Sequence, residues 1–139
     1  MIYKLYLVNL IFLSLFLIED KNNCSNFSSG TFVSNDKITG NTILQRNGNL
    51  QLEINEKLGF KVMSKIEWKE NCNYILYDFV VIENKYNMTI PIDTLSISIK
   101  ILNDSTYQQS VFLKERNFIY TSLVTKTDDE APLLKKYTN

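Results

Sequence analysis

Leu50-Gln51-Leu52-Glu53-Ile54, then Phe60-Lys61-Val62-Met63-Ser64-Lys65-Ile66-Glu67-Trp68, then Cys72-Asn73-Tyr74-Ile75-Leu76-Tyr77-Asp78-Phe79-Val80-Val81-Ile82, form the stretch whose reading decides the fold. The first two segments carry apolar side chains at Leu50, Leu52 and Ile54 and at Phe60, Val62, Ile66 and Trp68. That is the two-residue period of strands with one buried face. The third segment is apolar or aromatic on both faces apart from Asp78, which predicts a central strand covered on both sides.

Working outward, Gly30-Thr31-Phe32-Val33 reads as entry into a short first strand, and Asn35-Asp36-Lys37 and Gly40-Asn41 carry turn chemistry. Thr42 to Arg46 and Leu50 to Ile54 flank Asn47-Gly48-Asn49, where Asn-Gly supplies the two positive φ values of a type I′ hairpin turn. After Ile82 the segment 83–94 loses its period, and Pro91 has no N–H to give a ladder, so it reads as a long connection. Leu95, Ile97, Ile99 and Ile101 then alternate with Ser96, Ser98 and Lys100, which places the four apolar residues inward. Polar turns at 103–105 and 115–117 lead into two further strands, Tyr107 to Lys114 and Phe118 to Lys126. Residues 127–139 show no pattern and read as a disordered tail.

The expectation is therefore an all-β domain over 24–126: an antiparallel up-and-down meander of seven or eight strands. To hide one apolar face it curls into a lipocalin-like barrel or folds into a two-layer sandwich. Ahead of it, residues 2–18 carry one charge at Lys4 and then an apolar run broken only by Asn9 and Ser14. That is the layout of a secretory signal, so residues 1–20 read as a signal peptide or an uncleaved membrane anchor. The expected location is extracytoplasmic, with membrane contact only through this segment.

Lys plus Arg and Asp plus Glu are both 15, so the formal net charge is zero and there is no electrostatic case for nucleic acid. The chain has no histidine, the commonest neutral-pH general base and metal ligand. No cofactor, no metal and no catalytic set are expected. In an oxidising compartment Cys24 and Cys72 are most simply a disulfide, with two free thiols as the alternative. Two polar positions invite a ligand-orienting role. Arg46, with Gln51 and Glu53 nearby, could stand at a barrel mouth or be an exposed charge pair. Asp78 interrupts an apolar strand, and a buried carboxylate needs a partner, unless a bend or an edge exposes it.

Cys24-x-x-Phe27-x-x-Gly30-x-Phe32, Arg46-Asn47-x-x-x-Gln51-x-Glu53 and Ile66-x-Trp68-x-x-x-Cys72-x-Tyr74-x-Leu76 resemble a family of small exported proteins from Bacteroidota. The resemblance runs from residue 24 to about 126, with only a similar strand pattern in the last third. It implies a lipocalin-type β-meander with the two matching cysteines bonded. Some relatives carry a DNA topoisomerase IV name. This neutral, short chain with an export signal and no Arg-Tyr nucleophile setting argues against such an activity. Two departures stand out: the chain lacks the lipoprotein cysteine of many relatives, and its 83–94 segment is longer. The functional expectation is a non-catalytic exported domain that binds a small apolar ligand inside its barrel. An envelope protein-interaction or structural module is the alternative, and a weak hydrolase or isomerase comes third.

Overall fold

The computed structural model describes residues 24–90, 93–113 and 117–138. The N-terminal segment read as an export signal lies outside them. Eight strands follow one another in chain order: β1 (Ser29–Asp36), β2 (Gly40–Asn47), β3 (Leu50–Asn55), β4 (Phe60–Trp68), β5 (Asn73–Asn84), β6 (Leu95–Ile101), β7 (Thr106–Leu113) and β8 (Phe118–Asp128). Each pairs antiparallel with the next, and β8 pairs back to β1, so the sheet is a closed barrel. The meander is as expected, and closure decides between barrel and sandwich. Closure leaves no free strand edge among these eight.

The seam is set by Gly30. Its φ is +123°, and a Cβ there would stand 2.4 Å from the Asp128 carbonyl oxygen, so the end of β8 can lie against β1 only where no side chain intervenes. A register shift between Thr31 and Phe32 relieves the crowding. The β2–β3 reversal differs from expectation. Its two loop residues are Gly48 and Asn49, and of these only Gly48 has a positive φ, at 94°. Glycine leading the pair is the type II′ arrangement, not type I′.

The strand expected to be covered on both sides is not. In β5, Tyr74 and Leu76 are buried inside, while Val80 is about half exposed outside. The register slips by one residue opposite Met63–Lys65, where Met63 pairs with Val80 but Lys65 with Tyr77. This bulge reverses the parity of inward positions, so Phe79 joins the core that Tyr74 and Leu76 began. The apolar run on both parities thus combines an inner face that changes step midway with outward residues such as Ile75, Val80 and Ile82, the last of which packs with Leu52 outside the barrel.

The second difference lies in β3. Its polar members Gln51, Glu53 and Asn55 sit on the barrel's inner side, and Leu50, Leu52 and Ile54 face outward. What covers them is the C-terminal segment expected to be disordered. β8 continues to Asp128, and a single helical turn, α1 (Pro132–Lys135), lays Leu134 on Leu52 and Ile54, with both leucines fully buried. Gln45, outward-facing on β2, caps this turn: its Oε1 accepts from the N–H groups of Leu133 at 2.7 Å and Leu134 at 2.9 Å. Gln45 Nε2 donates to Thr31 Oγ1, which donates in turn to the Glu130 carbonyl. The tail is thus a folded strap.

Substituting Leu134→Ala should lower the stability of the whole barrel by about 2–3 kcal/mol, since it strips the cover from Leu52. A urea denaturation curve whose midpoint matches the native chain would return residues 131–138 to the status of a tail.

Candidate functional site: a buried arginine beneath an open cavity

Strands β2 to β5 converge at one end of the barrel on a single cation. Thr42, Leu44 and Arg46 take the inward positions of β2, and the tight turn at Gly48–Asn49 places Gln51 directly opposite Arg46. Arg46 is fully buried. Its Nε donates to Gln51 Oε1 at 2.7 Å, its Nη1 to the Phe27 carbonyl at 3.1 Å and its Nη2 to the Tyr74 hydroxyl at 2.7 Å. The guanidinium carbon lies 5.0 Å from the ring centre of Phe32, 4.9 Å from Tyr74, 5.7 Å from Tyr107 and 5.8 Å from Trp68. Aromatic faces and fixed acceptors replace the water that the charge has lost.

The floor is held from outside as well. A 3-10 turn, Cys24–Phe27, crosses the barrel end and inserts Phe27 against Tyr107, with ring centres 4.9 Å apart. The Cys24–Cys72 disulfide, with Cα atoms 5.6 Å apart, ties this plug to the short turn before β5. The cysteines are therefore paired, as the sequence suggested. Bonds of this kind persist in oxidising compartments. The Trp68 indole N–H donates to the Gly48 carbonyl and closes the hairpin over the same end.

A relay leads from the buried cation into the barrel. Gln51, holding Arg46 with its oxygen, donates its Nε2 to Glu53 Oε1 at 2.5 Å. Burial pushes the Glu53 carboxyl above its ordinary value, and the Gln51 hydrogen bond and the Arg46 charge only partly offset this. Burial alone would lower the Arg46 pKa, but Tyr107, Tyr74 and Glu53 outweigh it, so the guanidinium stays charged. Burial likewise raises the Tyr74 and Tyr107 hydroxyls and keeps them neutral.

Above this floor lies a cavity of about 240 Å³. One wall is polar, with Ser34, Thr42, Gln51 and Glu53 from β1 to β3. The opposite wall is largely aliphatic, with Leu76, Leu95, Ile97, Val111 and Leu113 from β5 to β7, and carries Gln109 toward the floor. Phe60, near the start of β4, and Tyr120, near the start of β8, stand toward the open end. Among the described residues lining the cavity, Glu53 is the one that is formally charged. Among the described residues, no three His, Cys, Asp or Glu side chains gather as metal ligands.

The two polar candidates fare differently. Arg46 does meet Gln51 and Glu53, but at the closed floor and not at the mouth, and it is buried, not an exposed pair. Its position in β2 is inward because the hairpin register leaves Gln45 to face α1. Asp78 lies outside the barrel on the bulge, with φ +51°, and pairs with Lys65 at 2.8 Å. Both partners are more than half exposed, so Asp78 orients nothing in the cavity. The residues quoted for the family resemblance converge here: Phe27, Phe32, Arg46, Gln51, Trp68, Tyr74 and both cysteines build the floor, and Glu53 stands just above it. Sequence reading missed the inward direction of Glu53, although Gln51-x-Glu53-x-Asn55 shows a polar face of strict period two.

Replacing Arg46 with Met should cost about 3–5 kcal/mol, because Gln51, Tyr74 and the Phe27 carbonyl are left without their donor in a dry site. Equilibrium unfolding would reveal it. Glu53 gives a pH signature. With its folded pKa above the ordinary 4.5, the folded chain keeps a proton that the unfolded chain has released, so stability falls as pH rises through that window. Glu53→Gln keeps an acceptor for Gln51 and should remove that fall. The melting-temperature difference between native and variant chains, followed from about pH 4 to 8, should grow in favour of the variant as pH rises. A difference that does not change with pH would refute the shift.

No family model, curated protein or solved structure matches this chain.

Proposed function

We propose that this protein is a non-catalytic, extracytoplasmic binding domain that holds one small, largely apolar molecule inside its barrel. The observation that carries this reading is the cavity: sealed below by the Arg46 floor, walled on one side by Leu76, Leu95, Ile97, Val111 and Leu113, and open at the other end. Eight-stranded barrels either fill with side chains or keep room for one ligand, and this one keeps room. At about 240 Å³ the space falls short of the roughly 300–1,000 Å³ of a drug-sized pocket. It exceeds the roughly 150 Å³ of an engineered cavity that takes benzene. A single ring or a short branched chain matches it.

The apolar segment 2–18 and the disulfide both support an exported location: periplasmic, secreted or held at the envelope by the N-terminal segment. Kinship with the exported Bacteroidota family is supported by the convergence of its quoted residues on one floor and its edge. A second reading, a protein-interaction module, is supported by an outer groove of about 430 Å³ that includes Ile75, Phe112 and Ile119. With the sheet closed, that face and not a strand edge would meet a partner. Sedimentation velocity tests its simplest form, a second copy: Phe112→Lys should abolish any self-association, and a native chain that stays monomeric removes that form.

The binding reading predicts that benzyl alcohol, titrated into the folded protein, moves the backbone amide resonances of Leu76, Ile97 and Val111 in a saturable way. Val111→Trp, which fills the cavity, should abolish the response. Absence of saturable shifts, or equal shifts in the filled variant, would sink it.

A further inference from the structure

We propose that the cavity selects a small hydrophobic amine, its ammonium group on the Glu53 carboxylate and its apolar body against Leu76, Ile97 and Val111. This rests on the reading of the interior as a binding cavity and adds the chemistry of the ligand's head. Among the described residues that line the cavity, Glu53 is the one formally charged side chain, with no lysine or arginine beside it. The nearest cation, Arg46, lies behind Gln51, fully buried, with Nε, Nη1 and Nη2 each donating to protein acceptors, so it is not presented to a ligand.

Glu53 spends one oxygen on Gln51 and keeps Oε2. Other lining groups offer acceptors too. Gln109 donates its Nε2 to Ser122, and its Oε1 meets only the Tyr74 hydroxyl at a long 3.5 Å. An acid on one wall, and opposite it a carbonyl oxygen with spare lone pairs set among aliphatic side chains, match a donor-rich cationic head on an apolar body. A carboxylate ligand would meet the Glu53 charge at close range in a poorly solvated site. A neutral alcohol would fit, but with one donor and no charge.

Among the described residues, the titratable groups that face Glu53 or share its cavity are Arg46, through Gln51 on β3, the neutral hydroxyls of Tyr74 on β5 and Tyr107 on β7, and the Tyr120 hydroxyl on β8, whose pKa burial and the nearby Asp36 raise. Arg46 stays charged and the three tyrosines stay neutral through the working range, so of these groups Glu53 alone titrates there. Amine binding needs its carboxylate form and should weaken as pH falls through the raised Glu53 pKa.

Three ring compounds of like size separate the possibilities: benzylamine, benzyl alcohol and benzoate, each titrated by amide chemical shift or calorimetry against the intact folded chain and against Glu53→Gln. The expected order at pH 7.5 is benzylamine first, about tenfold tighter than benzyl alcohol, with benzoate weakest. Glu53→Gln should abolish the preference for the amine while leaving benzyl alcohol within about twofold, which also shows that the variant folds and keeps its cavity. If benzyl alcohol binds as tightly as benzylamine, if benzoate leads, or if the amine preference survives in Glu53→Gln, the amine assignment falls and the cavity reading stands. If none of the three binds, both fall together.

Discussion

One buried guanidinium organises this molecule. Moving an arginine out of water costs several kcal/mol unless every donor is met and the remaining field is neutralised nearby. Meeting Arg46 takes one residue from each of several distant segments: Phe27 from the plug, Gln51 from β3 and Tyr74 from β5, within a box of four aromatic rings. None of these can shift by a residue without stranding a donor. The charge therefore fixes registers that a purely apolar floor would leave free to slide.

The same demand separates the barrel's two ends. Around Arg46 the side chains are large, aromatic and mutually committed, and the disulfide between Cys24 and Cys72 holds the plug across them. Toward the other end most inward positions become serines, threonine, glutamine, Glu53 and aliphatic residues, with Phe60 and Tyr120 near the opening, and space remains between them. The Gln51–Glu53 step joins the two regions. It lets a carboxyl that partly balances the arginine also look into the cavity, so one constraint shapes both stability and the chemistry offered to a ligand.

The polar face that β3 turns inward has a structural consequence on the outside. With Gln51, Glu53 and Asn55 committed to the interior, Leu50, Leu52 and Ile54 must be hidden elsewhere, and the chain does so with its own C-terminal turn. Gln45 completes this by satisfying the otherwise orphaned N–H groups of that turn. A helical turn this short has no stability of its own and exists because the leucines beneath it need cover.

The alternation in Leu95 to Ile101 placed each apolar residue inward without help, and the turn residues marked the strand ends, because both are local effects of a pleated backbone. The cysteine pair was legible for a similar reason, since composition and an export segment narrow its chemistry. Periodicity says that one face of a strand is buried, but not which side of the sheet that face is on. Hence β3 read correctly as amphipathic while Glu53 went unrecognised as an interior group. Asp78 could be read as a buried carboxylate or as a bend or edge residue, and the bulge that exposes it cannot be seen in a pattern that is apolar on both parities. Residues 131–138 looked patternless because four residues are too few to show a helical period. The meander order and the places of its reversals were thus set by the sequence alone, with the strand count narrowed to seven or eight. Closure, the inward turn of Arg46 and Glu53, and the docking of the C-terminal strap were decided by tertiary structure. Each of these depends on partners dozens of residues away, whose approach no local pattern encodes.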